Sequence, residues 1–229
     1  MIEGSNPSGG ANFGVKMKVR LISYSQPIIT DYAMSAQDLV AYCARVSNPD
    51  NQMNKESSGR LIKYLIKHKH WSPFEMVSAC LEIQTTRDIA RQILRHRSFS
   101  FQEFSQRYAI ADSFEFREAR LQDKKNRQNS IDIEDATLQA NWKATQAGVL
   151  DSMLKAYNWA LDNGIAKEQA RVVLPEGLTH SILYMNGTLR SWIHYVQLRT
   201  DPSTQKEHRE VAEACKKEIA TIFPIIDDL

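Results

Sequence analysis

The chain has 229 residues, 42% hydrophobic and 24% charged, which is ordinary globular usage, sufficient for a full core, and excludes disordered and fibrous classes. Twenty-nine basic against 27 acidic residues leave a net charge of +2, too balanced for holding nucleic acid or anionic lipid by bulk charge, and no apolar run is long enough to span a bilayer. Cys43, Cys80 and Cys215 are widely spaced and outside any CxxC; neither a disulfide framework nor a zinc site is expected, but reduced thiols in a cytoplasm are.

Four of the nine glycines fall in the first 14 residues. Residues 1–16 read as a flexible or appended extension without an apolar signal core, and 17–229 as the folded domain. Met17–Ser23 alternates Val19 and Leu21 with charges, a strand pattern. Ser35, with Asp38 three residues on, marks a helix start, and Leu39, Val40 and Cys43 give its stripe. A turn near Asn48–Asn51 precedes a helix marked by Leu61, Ile62, Leu65 and Ile66. Pro73 breaks the chain before a buried strand at Met76–Thr85, and Thr86 caps a helix bearing Ile89, Ala90, Ile93 and Leu94. Ser98–Tyr108 follows neither period and is expected to be a loop. Phe114–Asp135, polar and charge-mixed, reads as a surface excursion. Trp142–Leu161 is a long amphipathic helix stopped by Asn163-Gly164. A short helix at Glu168–Leu174, a strand at Thr179–Met185 and helices at Leu189–Arg199 and Thr204–Phe223 complete the chain. With no βαβ rhythm, the expected class is α+β: a single domain whose central, twisted, mostly antiparallel sheet is packed by helices, including the long one near 142–163.

Arginine and lysine are sorted unevenly. Between Thr86 and Arg120 stand seven arginines (Arg87, Arg91, Arg95, Arg97, Arg107, Arg117, Arg120) and no lysine, although lysine supplies 14 of the 29 basic residues. Arginine is preferred where a planar fork must grip phosphate or carboxylate. Arg87, Arg91 and Arg95 share one helix face, where like charges repel by about a few tenths of a kcal/mol each. Either Asp88 and solvent offset this, or a bound anion does.

Arg95-His96-Arg97, followed after seven residues by Ser105-Gln106-Arg107-Tyr108, resembles the signature of the flavin-dependent thymidylate synthases, the thymidylate synthase-complementing proteins. ARVS at Ala44–Ser47, HWSPFE at His70–Glu75, QARVVLP at Gln169–Pro175 and NGTLRSWIHYVQLR at Asn186–Arg199 agree in order. The resemblance covers nearly all of Met17–Phe223. It implies reductive methylation of dUMP to dTMP, with methylenetetrahydrofolate giving the carbon, NADPH the electrons and bound FAD mediating, in a cytoplasmic homotetramer with sites at subunit interfaces and no metal.

That chemistry has three requirements. The nucleotide phosphate needs forked donors, which the resemblance places at Arg95, Ser105, Gln106 through its backbone, Arg107 and Arg171, with Gln92 and Glu103 on base and sugar. Ser105 is expected at the phosphate and not as a nucleophile, since no base lies near it in sequence; the commoner role of a loop serine is to bond its own backbone. The flavin contacts implied are Ser72, Arg95, His96, Arg97, Glu103, Thr188, Leu189, Arg190 and His194, with Ser47, His70 and Glu75 nearby. Neither GxGxxG nor GxxxxGK occurs, so arginines must take the place of a glycine-rich phosphate loop. The uracil ring must become nucleophilic at carbon 5. No cysteine sits in a motif block with activating neighbours, and the resemblance assigns the task to Arg199, favouring loss of the proton on ring nitrogen 3. Leu189, Trp192, Val196 and Arg199 follow a 3-4-3 spacing, so Arg199 continues an apolar stripe.

The sequence departs from common family residues at Ser203, where some relatives have histidine, and at Gln106, where glycine is common. Two rival readings stand beside this one. A metal hydrolase could use His68, His70 and Glu75, but HExxH is absent. An RNA- or nucleotide-binding module could use the arginines and aromatics of 87–108, with Phe99, Phe101, Phe104 and Tyr108 as stacking platforms.

Overall fold

Ser35 behaves as its spacing predicts: its hydroxyl accepts the Asp38 N–H at 3.1 Å while the Asp38 carboxylate accepts the Ser35 N–H, a complete capping box that starts α1 (Ala36–Ala44). The computed structural model describes residues 11–29 and 34–228. Ahead of α1 come β1 (Asn12–Phe13) and β2 (Lys18–Tyr24); after it come α2 (Ser58–Lys67), β3 (Ser78–Thr86), α3 (Arg87–Ile93) and β4 (Ser100–Glu103). Short strands β5 (Ser113–Phe114), β6 (Arg120–Gln122) and β7 (Ser130–Asp132) lead to α4 (Ala136–Asp162) and α5 (Lys167–Ala170). Then follow β8 (His180–Thr188), α6 (Leu189–Arg199) and α7 (Lys206–Ala220).

The main sheet has the order β2-β3-β8-β4. Its pairing is antiparallel: β3 enters beside the end of β8, where Leu189 N–H bonds Val77 C=O at 2.8 Å, and leaves beside its start, where Arg87 N–H bonds Thr179 C=O at 2.9 Å. β6 and β7 form a small antiparallel pair, and β1 lies parallel to β5. The class is α+β, as read from the sequence.

Two compact units divide the chain. One comprises residues 11–17, Gln84–Arg91 and Glu103–Ile182; the other comprises the described residues of 18–83, Gln92–Gln102 and those of 183–228. The first has a core of Phe114, Leu150, Met153, Tyr157, Ala160 and Ala170, contributed largely by α4. In the second, α7 packs on β2 and on α6. The Trp192 indole N–H reaches Ala79 C=O at 3.0 Å, and Phe74 meets Phe223 edge-on at 6.1 Å.

Several boundaries differ from expectation. Residues 1–10 of the expected extension lie outside the described residues, but Asn12–Phe13 pairs in register with Ser113–Phe114, and the Phe13 ring stacks on Phe116. Ser100–Glu103, expected to be loop, is a strand at the end of the sheet order; a four-residue edge strand is too short to show alternation. Phe114, expected at the surface, is fully buried, and its excursion contains three short strands. α4 begins six residues before Trp142 because Asp135 caps the Leu138 N–H at 2.9 Å; its first turns are exposed and carry no apolar stripe. It ends as expected, with Gly164 at φ +74.

Candidate active site

In the unit that holds α6, Thr188 is the helix N-cap and also donates its hydroxyl to Glu75 Oε2 at 2.8 Å. Arg190 Nη1 donates to Glu75 Oε1 at 2.7 Å. Both carboxylate oxygens are thus engaged, and the Thr188 bond, then the Arg190 bond, hold Glu75 below the usual carboxylate range. His194, one turn beyond Arg190, meets Trp71 edge-on at 4.7 Å. Partial burial and then the Arg190 charge lower its basicity, with Glu75 opposing. His70 and Ser72 flank Trp71 and are exposed. The chain reaches His70 through Lys69, whose φ of 57 closes α2 in a left-handed turn. Ser47 lines an open cleft of about 550 Å³ with Asn48, Asn51 and Arg60. Leu189 is fully buried, and its N–H is used by Val77. Ser203, at the first departure, donates its hydroxyl to Asp201 at 2.6 Å.

Arg95-His96-Arg97 follows α3 in the same unit. Arg199, half-buried at the end of the stripe of Leu189, Trp192 and Val196, donates its Nε–H to His96 Nε2 at 2.9 Å. That bond requires the His96 proton on Nδ1. Burial, then the Arg199 charge, depress His96 to about 4, so it is a neutral acceptor at pH 7. His208, fully buried beside it with ring centroids 6.3 Å apart, is depressed to about 3 by burial and then by Arg199 and His96. Sequence reasoning missed His208, although it begins the stripe of Val211, Ala212, Cys215 and Ile219 on α7, and a histidine on an apolar face is the available signal.

Both imidazoles protonate near 6.5 when unfolded and resist protonation when folded. The unfolded chain therefore binds more protons below pH 6.5, and stability, complete above that value, falls as pH drops toward 4. Calorimetric melting from pH 8 to 4.5 is expected to show a Tm that declines below pH 6.5, less steeply in His208→Leu; identical slopes in the two proteins would contradict a buried neutral His208.

In the other unit, Glu103 is a hub. Ser181 donates to its Oε1 at 2.9 Å, Arg91 donates to its Oε2, and Arg87 stands 3.6 Å away. Arg87 also pairs with Glu176 at 3.2 Å. Glu103 therefore compensates Arg87 and Arg91, while Arg95, expected on the same helix face, lies beyond the end of α3 at Ile93, and Asp88 accepts from Arg117 at 3.0 Å instead of serving Arg91. Ser105 Oγ accepts the Arg107 N–H at 3.3 Å, the ordinary loop-serine bond. Glu168 gathers two further predicted residues, with its carboxylate on Arg107 Nε at 3.3 Å and its carbonyl on Arg171 Nε at 3.2 Å. Gln106 is 4% exposed, and its Nε2 has no partner among the described residues.

The residues fit a flavin dinucleotide. Arg95 and Arg97 are exposed and pair with no carboxylate among the described residues, so their forks remain for phosphate. Arg190, with the N–H groups that Glu75 does not take, and His194 add donors on the first two turns of α6, while the Thr188 hydroxyl at the N-cap is committed to Glu75. No group of three His, Cys, Asp or Glu among the described residues is placed to hold a metal ion, and no described helix is long and apolar enough to cross a membrane.

Comparison with known proteins bears on this arrangement. The family model described as thymidylate synthase complementing protein matches residues 29–225. The chain is 51% identical over 212 residues to a flavin-dependent thymidylate synthase of Synechocystis, covering 92% of this chain and 97% of that one. It is 48% identical over 211 residues to a probable flavin-dependent thymidylate synthase of Paramecium bursaria Chlorella virus 1, with the same coverage of each. A crystal structure of the UMP/dUMP methylase PolB from Streptomyces cacaoi, bound with 5-Br UMP, matches with a TM-score of 0.81 at 27% identity, covering 95% of each chain. A family match across most of the sequence, relatives near half identical and a shared fold place the chain in the thymidylate synthase complementing protein family, the flavin-dependent thymidylate synthases.

Proposed function

We propose that this enzyme methylates dUMP to dTMP reductively, taking its carbon from methylenetetrahydrofolate and its electrons from NADPH, with bound FAD and no cysteine nucleophile. The observation that carries the reading is Arg199 held by a neutral histidine beside two uncountered arginines. Arg199 spends its Nε on His96 and keeps its terminal amines for a ligand. A half-buried guanidinium favours the ring with nitrogen 3 deprotonated, and the richer ring lets nitrogen 1 push electrons more strongly onto carbon 5, which attacks the methylene carbon. That carbon's bonds to the folate nitrogens break, tetrahydrofolate leaves, and an electron pair drawn from NADPH completes the methyl group. The carbon-5 hydrogen leaves as a proton. Bound FAD would supply the relay of electrons from NADPH, and Ser47, His70, Ser72, Glu75, Arg95, His96, Arg97, Glu103, Thr188, Leu189, Arg190 and His194 would hold it.

The thiols support the absence of a cysteine nucleophile. Burial raises Cys43, Cys80 and, furthest, the fully buried Cys215, so none has the thiolate character of an attacking sulfur. For the nucleotide, Gln92 and Glu103 serve base and sugar; Arg95, Ser105, Gln106, Arg107 and Arg171 serve the phosphate. The homotetramer with sites at subunit interfaces belongs to the same reading, and Tyr108 and Val172, next in sequence to Arg107 and Arg171, are exposed at 74% and 84%, as residues covered by another subunit would be in a single chain. A cytoplasmic setting goes with three unpaired thiols.

Ser105→Ala tests the phosphate assignment. Loss of one hydrogen bond to a charged group is expected to weaken dUMP binding about tenfold, with NADPH reduction of the flavin unaltered. An unchanged dUMP affinity, measured by titration, would place the phosphate elsewhere.

A further inference from the structure

Gln92 is the residue that the proposed function sets against the nucleotide base, and its amide is held at both ends. Its Nε2 donates to Gln205 Oε1 at 2.7 Å, and its Oε1 lies 3.2 Å from His208 Nδ1. Gln205, the N-cap of α7, donates in turn from Nε2 to Glu207 Oε2 at 3.0 Å. An ionised carboxylate only accepts. Glu207 therefore decides which end of Gln205 faces it, Gln205 decides which end of Gln92 faces it, and the Gln92 oxygen requires a proton on His208 Nδ1. His208 Nε2 is left bare, and it is buried without a partner among the described residues. The polarity of the chain runs one way from a carboxylate to a buried imidazole.

We propose that Glu207, Gln205 and His208 are positioning residues that lock the Gln92 amide with its second N–H available to the base, so that the site reads a pyrimidine carbonyl and rejects an amino group. The inference rests on the dUMP reading above. With its oxygen committed to His208, Gln92 meets a uracil carbonyl as donor to acceptor. A cytosine amino group would meet it donor to donor and leave both N–H groups unpaired, the kind of mismatch that discriminates more strongly than a size difference. A glutamine without the relay could flip its amide and accept either base.

The test uses FAD-loaded enzyme and measures dUMP and dCMP affinities by calorimetry. The wild type is expected to favour dUMP by about a hundredfold. Gln205→Met, an exposed and near-isosteric change that removes the acceptor, and His208→Leu are each expected to cut that preference about tenfold without loss of flavin. His208→Asn, which restores an N–H donor near Nδ1, should recover most of it. Nitrogen-15 spectra of the wild type should show His208 as the Nδ1–H tautomer. An unchanged dUMP-to-dCMP ratio in Gln205→Met, or a proton on Nε2, would overturn the proposal. A wild type that binds neither nucleotide would contradict the substrate reading instead, and the ligand-independent tautomer would still decide the relay.

Discussion

Arg199→Ala is expected to leave a folded, flavin-bearing protein whose turnover falls by about a thousandfold, the scale seen when a group aimed at developing charge is removed. Of the residues set to hold the flavin, His96 bonds Arg199, whereas Glu75, Thr188 and Arg190 are joined to one another and keep their bonds when Arg199 is removed. Flavin retention and catalysis should therefore separate. The neutrality of His96 matters here: an imidazolium would repel the guanidinium, but a ring depressed to about 4 accepts its N–H at neutral pH. Arg199→Lys should recover little, because an ammonium cannot donate along the Nε direction and present a fork at the same time. Flavin content by absorbance and single-turnover rates distinguish the outcomes. A flavin-replete Arg199→Ala enzyme at near wild-type rate would remove Arg199 from the chemistry.

Gly187→Ala should be the most damaging methyl that can be added to the core of the α6 unit. A Cβ at Gly187 would collide with Phe99 Cδ1 and stand 2.6 Å from its Cε1. Phe99 cannot swing aside, since its ring is packed edge-on against Trp192 at 4.8 Å and lies 6.0 Å from Tyr195. Overpacking of this kind costs about 2–3 kcal/mol, which for a chain of this size lowers Tm by roughly 5–10 °C. Since Trp192 and Tyr195 lie on the helix that ends at Arg199, catalysis should weaken as well. The double variant Gly187→Ala, Phe99→Leu, which makes room for the methyl, should recover most of the lost Tm, because contacting residues couple. Additive losses in the double variant would show that the ring is not the obstacle.

What could be read from the sequence was what a local pattern encodes. The Ser35–Asp38 box, the Asn163-Gly164 stop and the stripe that carries Arg199 inward all depend on residues within a few positions of one another, and the structure has them. β4 was hidden because an edge strand of four residues offers two side chains per face. Glu103 was expected near nucleotide and flavin, but its role as counter-charge to Arg87 and Arg91 comes from a strand meeting a helix 12 residues away, which no spacing rule encodes. Gln92 and Gln205, 113 residues apart, meet only through packing, and so the relay behind Gln92 was invisible. Phe13 sits in a glycine-rich stretch with no apolar pattern to mark it, yet two paired residues and one ring stack bring it into the fold.

Release of the carbon-5 hydrogen from labelled dUMP tests the central claim most directly. With methylenetetrahydrofolate, NADPH and FAD all present, release is expected at the rate of dTMP formation, and omission of any one should stop it. The same release from a variant lacking all three cysteines would complete the case for a reaction without a sulfur nucleophile. Release that persists without flavin, or no release from folded protein that retains flavin absorbance, would contradict the account.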